Sequence, residues 1–214
     1  SIISLTLSLN TPNAELFYIY DSHCPWSYAS TVLVEKVLSA FPSITFRAMH
    51  VGYYDGDNKV SPTTITAVRE FSQVTFGANY IDTLNYPKDS TLAANLMAWV
   101  QNKSAKSAFE LLKKLQHAHF VLGNELIDSD SVSEIIDQLK LSPPAKCLQS
   151  NKLTKDAEFA IHDIIEVQEI IGTQAIPAML LAYNENLVLL NHNLYLENPD
   201  AIIDAVKLEL ENLS

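Results

Sequence analysis

The stretch Glu15-Leu16-Phe17-Tyr18-Ile19-Tyr20-Asp21-Ser22-His23-Cys24-Pro25-Trp26-Ser27 sets the fold expected for this chain. Residues 15–20 are aromatic and β-branched with almost no polar break, the pattern of a buried strand. Asp21 to Ser27 then turn the chain into a helix. Ser22 reads as its N-cap, and Pro25 suits the first helical turn because its missing N–H is not needed there. Apolar residues follow at Trp26, Ala29, Val32, Leu33, Val37 and Leu38, at helical spacing, until Phe41-Pro42 stops the helix. Ile44 to Met49 alternates and reads as a second strand. A helical crossover of this size joins parallel strands, so residues 15 to about 51 form a parallel strand–helix–strand unit with Cys24 at the helix N-terminus.

Outward from this unit the pattern changes. Val51 to Asn58 reads as a loop with two glycines and two tyrosines. Residues 63–172 show only helical periodicity, with helices expected at Thr63–Phe76, Ser90–Asn102, Ser104–Phe120, Ser131–Leu139 and Leu153–Ile171. Ser131 with Glu134 has the spacing of a capping box, and Pro143-Pro144 breaks the chain before the last of these helices. Leu153, Ala157, Ile161, Ile164, Ile165 and Ile171 form one apolar stripe, closed by Gly172 as terminator. Ala178–Tyr183 and Leu187–Leu190 read as an antiparallel hairpin turning at Asn184-Glu185-Asn186, and Asn198 caps a final helix, Ala201–Leu210.

The chain has 214 residues, 48% of them hydrophobic, a formal net charge of −11 and two cysteines. The acidic balance argues against a nucleic-acid surface. Two cysteines exclude a disulfide framework and a four-thiolate zinc site, and the six histidines show no metal-ligand spacing, so no metal is expected. No apolar run approaches the roughly 18 residues needed to cross a bilayer. Ser1 to Asn10 alternates Ser/Thr with Ile/Leu and carries no Lys or Arg. It is not a signal peptide as written, and reads as an arm that could add an edge strand; a cytoplasmic place is expected.

Strand–helix–strand followed later by strand–strand–helix is the thioredoxin framework, and the chemistry concentrates at Cys24. Backbone N–H groups at a helix N-terminus are unpaired and the dipole there is positive, which stabilises a thiolate and lowers the thiol pKa. A protonated His23 would add to this. Cys24 could instead be a small buried hydrophobe, but its place in a turn after a strand favours a site.

Phe17 to Tyr28 resembles the active-site segment of the DsbA-like thioredoxin-fold family, in particular its intracellular, protein-disulfide-isomerase-like branch, with the form Tyr-x-Tyr-Asp-x-x-Cys-x-Trp-Cys-Tyr. Gly172-Thr173-Gln174-Ala175-Ile176-Pro177 is similar to that family's Gly-Val-x-Gly-x-Pro loop. The resemblance implies an α/β thioredoxin fold with a large inserted all-helical domain. The thioredoxin part would comprise residues 1–58 and 151–214, and the insertion 59–150. It also implies a cis Pro177 facing Cys24, with Ile176 offering its backbone to a substrate strand.

The family's second cysteine is Ser27 here. Serine cannot resolve a mixed disulfide, but its hydroxyl can hydrogen-bond the Cys24 thiolate. Resolution must then come from another thiol: glutathione or a substrate cysteine. The expected activity is thiol–disulfide exchange or isomerisation on protein or glutathione mixed disulfides. No cofactor is tightly bound, glutathione is a candidate cosubstrate, and His23, Pro25, Trp26, Ile176 and Pro177 line the substrate side. Pro25 and Ser27 also resemble the Ser-Pro-Tyr-Ser segment of kappa-class glutathione transferases and hydroxychromene-carboxylate isomerases. That similarity implies the alternative, a glutathione-dependent reaction of a small organic substrate. Cys147 reads as an incidental buried residue, with a distant resolving thiol as the other possibility. His50, after the second strand, could approach the site. Tyr53, Tyr54, Phe71, Phe76 and Tyr80 read mostly as core or interface aromatics.

Overall fold

The structure is a computed structural model that describes residues 14–213. The arm expected at Ser1–Asn10 lies outside the described residues. In chain order the elements are β1 (Glu15–Tyr20), α1 (Pro25–Ala40), β2 (Thr45–His50), β3 (Asp55–Asn58), α2 (Pro62–Phe71), α3 (Ala78–Asp82), β4 (Lys88–Asp89), α4 (Thr91–Gln101), α5 (Ala105–Gln116), α6 (Ser129–Gln138), α7 (Lys155–Ile171), β5 (Ala178–Tyr183), β6 (Asn186–Leu190) and α8 (Ala201–Leu213).

Four strands form one sheet in the order β2-β1-β5-β6. β1 pairs with β2 in parallel, with Tyr20 opposite His50, and antiparallel with β5. Every residue of β1 is buried, Leu16 to Tyr20 as their unbroken apolar run requires and Glu15 in an ion pair with Arg47 at 2.8 Å. Alternation then divides them between two layers. Leu16, Tyr18 and Tyr20 face a core shared with Leu33 and Val37 of α1 and Ile202 and Val206 of α8. Phe17 and Ile19 face Ile164 and Val167 of α7. The site turn therefore leaves the centre of a sheet covered on both faces.

Several sequence expectations are corrected in detail. Ser22 does not cap α1: Cys24 is the N-cap, in extended conformation and without a side-chain cap bond. Cys24 C=O accepts from Tyr28 N–H at 3.0 Å, and Pro25 stands in the first turn. The expected loop over residues 51–58 contains β3, which pairs with β4. The helix expected to reach Phe76 ends at Phe71, where the Ser72 hydroxyl bonds the Val68 carbonyl at 2.6 Å and competes with the helical ladder. Helix α5 ends at Gln116 and continues as a π turn over His117–Val121. The capping box of α6 is formed by Asp128 and Ser131, not Ser131 and Glu134: the Asp128 carboxylate accepts from Ser131 N–H at 2.9 Å, so the helix begins earlier. In α7, Ile165 is exposed and Val167 takes its place in the apolar stripe. Gly172 ends that helix at φ +74°, a left-handed conformation suited to glycine.

Candidate active site

Cys24 is 7% exposed and packs with Tyr54, Val60, Ile65, Tyr80 and Phe120, with Trp26, Tyr28 and Ile176 at the edge of the cluster. Two opposing influences act on its thiol. Burial pushes the pKa up, whereas the Ser27 hydroxyl and the backbone N–H groups of Ser27 and Trp26 favour the thiolate. Burial prevails, helped by the nearby Asp21 carboxylate, so the thiol lies above its ordinary value. The lowered pKa expected from the helix terminus is thus corrected: the donors are in place, but the sulfur is taken out of water.

Ser27 is fully buried. Its Oγ accepts from Asp21 N–H at 3.3 Å, which leaves its own proton for the sulfur. Its carbonyl accepts from the Tyr18 hydroxyl and, at 2.9 Å, from the Thr31 hydroxyl, fixing the first turn of α1 to the middle of β1. Asp21, also fully buried, gathers the surrounding loops. Its carboxylate accepts from His23 N–H at 2.8 Å, Tyr54 N–H at 3.1 Å and the Ser90 hydroxyl at 2.9 Å. Those donors belong to the site turn, to the loop after β2 and to the residue preceding α4.

His23 does not stand beside the sulfur as a cation. Its ring is fully buried and stacks on His119 with centroids 3.9 Å apart, and burial lowers its pKa, so it is neutral. A substrate contact through this side chain does not fit that placement. His50 does approach the turn. Its Nε2 lies 2.8 Å from Ser22 Oγ, and burial lowers its pKa to about 4. Lys88 is buried on β4, bonded to Glu125 at 3.1 Å and to the Thr83 carbonyl at 2.9 Å.

The Ile176–Pro177 peptide bond is cis. Ile176 belongs to the cluster around Cys24, so the loop and the thiol come together although they are far apart in sequence. Pro25 and Pro177 are buried, whereas Trp26 and Ile176 are half-buried and present the accessible apolar edge. Of the aromatics, Tyr54, Phe76 and Tyr80 join the cluster, and Tyr53 and Phe71 are exposed. Cys147, buried in a short turn at Ala145–Cys147, is a free thiol like Cys24. A cavity of about 390 Å³ lies elsewhere, between β2, α4 and α7, with Phe17, Met49, Met97 and Phe159 in its walls. His50 forms part of the wall of that cavity, but Cys24 does not line it. Among the described residues, no group of three or more His, Cys, Asp or Glu is placed to hold a metal ion.

Sequence reasoning missed Asp21, Ser22 and His119 as parts of the site. Asp21 carried a signal, a carboxylate between an apolar strand and a helix. The His119 contact carried none, because it depends on how the inserted helices fold back.

No protein-family model and no curated protein matches the chain. Solved structures do. The cytosolic disulfide reductase DsbM from Pseudomonas aeruginosa superposes with a TM-score of 0.76 at 21% identity, over 92% of this chain and 98% of that one. The same protein with GSH gives 0.75 at 21% identity, over 92% and 99%. A candidate protein disulfide isomerase from Nitrosomonas europaea gives 0.72 at 14% identity, over 94% and 100%. With the cysteine-bearing turn after β1, the cis-proline loop before β5 and helices between them, the chain has the DsbA-like thioredoxin fold.

Proposed function

We propose that the chain is a thiol–disulfide oxidoreductase that works with one reactive thiol, Cys24, on protein or glutathione disulfides. The observation that supports this most is the placement of Cys24: it is the N-cap of α1, with the Ser27 hydroxyl as partner and Ile176-Pro177 packed against the same cluster. The Cys24 thiolate attacks one sulfur of the substrate. The S–S bond breaks, a mixed disulfide forms on Cys24, and the other sulfur leaves with the electron pair. Ser27 hydrogen-bonds the thiolate before attack and again when it is released. It cannot resolve the intermediate, so a second thiol, glutathione or a substrate cysteine, attacks and frees Cys24. The Ile176 backbone would pair with an extended substrate, and Trp26 would cover the sulfur. The Pseudomonas protein with a similar fold, known also in a structure with GSH, supports glutathione as the small thiol. A cytoplasmic place, where free thiols persist, belongs to the same proposal.

The test is exchange with a glutathionylated peptide in the presence of glutathione, followed against pH. Turnover should rise into the alkaline range, because burial holds the thiol above its ordinary value. Saturable glutathione binding with turnover of an aromatic electrophile and no exchange would replace this reading with the transferase one. Absence of both activities would remove it.

A further inference from the structure

Both ring nitrogens of His50 face backbone donors. Gly52 N–H points at Nδ1 from 3.1 Å and Ser22 N–H at Nε2 from 3.1 Å. A neutral imidazole carries one proton, so it cannot accept from both and keep that proton out of the way. The Ser22 hydroxyl, 2.8 Å from Nε2, decides between the arrangements. With the proton on Nε2, His50 donates to Ser22 Oγ and accepts from Gly52 N–H. The Ser22 N–H, 3.1 Å from the same Nε2, then faces a proton rather than a lone pair and is the one donor left without this partner. With the proton on Nδ1, Nε2 would accept from Ser22 N–H, but the Nδ1 proton and the Gly52 N–H would confront one another, leaving both of those donors unpaired where the other tautomer leaves one.

The chain continues in one direction. Having accepted from His50, Ser22 Oγ–H donates to His23 Nδ1 at 3.2 Å, so His23 carries its proton on Nε2, 3.4 Å from the Glu125 carbonyl. His119 takes the opposite tautomer: its Nδ1 lies 2.8 Å from the Asn124 carbonyl, which can only accept.

We propose that His50 is a positioning residue for Cys24, tying the turn that carries the thiol to the loop that carries Tyr54 through its Nε2–H tautomer. Ser22 lies two residues before Cys24 and Gly52 two residues before Tyr54, which packs on Cys24. Asp21 makes a parallel tie through Tyr54 N–H, but the Ser22–Gly52 span depends on His50. This role rests on the exchange reading only for its kinetic consequence.

The experiment has two arms. Nitrogen-15 spectra of the wild-type protein should show His50 and His23 protonated on Nε2 and His119 on Nδ1. Protonation of His50 on Nδ1 would overturn the proposal. Glutathione-disulfide exchange should slow about tenfold in His50→Leu, which keeps bulk but neither arm, since small misplacement of reacting groups costs that much or more. His50→Gln restores a donor toward Ser22 and His50→Asn an acceptor for Gly52, so each should recover part of the rate. A His50→Leu rate equal to wild type, in a wild type that does exchange, would overturn the positioning role. A wild type that does not exchange would instead overturn the proposed function, and the spectra together with the iodoacetamide alkylation rate of Cys24 in His50→Leu, about tenfold higher if the loosened turn uncovers the buried sulfur, would still decide this one. An unchanged alkylation rate there would count against it.

Discussion

The two cysteines occupy regions that look alike by burial and differ in everything that makes a thiol useful. Both are buried and free, and burial raises both pKa values. Around Cys24 the first turn of a sixteen-residue helix supplies two backbone N–H groups, and Ser27 supplies a hydroxyl whose own acceptor site is already filled. Around Cys147, a three-residue turn supplies only the neighbouring Lys146 charge in favour of the thiolate. Burial alone therefore does not make a cysteine inert. What separates them is the set of donors aimed at the sulfur and the half-buried apolar edge, Trp26 and Ile176, where the proposed substrate would lie.

The comparison breaks most sharply by deletion. Cys24→Ala should abolish exchange, measured by release of glutathione from a mixed disulfide, and Cys147→Ala should leave the rate unchanged. Next comes acid. His50 is held at about 4, below its ordinary value. Its stabilising contribution is complete above about pH 6.5. It is lost as pH falls through the window down to about 4, because the unfolded chain binds a proton that the native chain refuses. His23 and His119 are shifted in the same direction. Denaturant unfolding should show a loss of about 3 kcal/mol across that window for His50 alone. A flat profile would contradict the buried, neutral histidines beneath the Cys24 turn. Ser27→Ala should lower the alkylation rate of Cys24 at fixed pH about tenfold, the worth of one hydrogen bond to a charged group. The same change should leave Cys147 untouched. The smallest effect is Cys147→Ala, about 1 kcal/mol of stability from lost packing, read as a small shift in the denaturant midpoint.

Much of this was legible in the sequence because it is local. The buried run of β1, the turn at Cys24, the helical spacing of α1 and the terminator Gly172 each follow from residues a few positions apart. Pro177 and Ile176 could be named from resemblance, and the structure puts Ile176 in the Cys24 cluster. The surroundings of the thiol were not legible. His23 is the adjacent residue and would favour the thiolate if protonated, but burial lowers its pKa, and the ring stacked on it, His119, arrives from a distant π turn. Ser22 looked like a helix cap and is instead bonded to His50, at the end of a different strand. The N–H groups at the helix terminus do favour the thiolate, as the sequence indicates. The opposing desolvation comes from Tyr54, Tyr80 and Phe120, on three separate segments whose meeting no local pattern shows.

The central claim is that Cys24, not Cys147, forms the mixed disulfide. The direct measurement is peptide mapping by mass spectrometry under non-reducing conditions after incubation with glutathione disulfide. One glutathione adduct, located on Cys24 and removed by excess glutathione, is the predicted result. An adduct on Cys147, or none on Cys24 at a pH where the thiolate forms, would contradict the account.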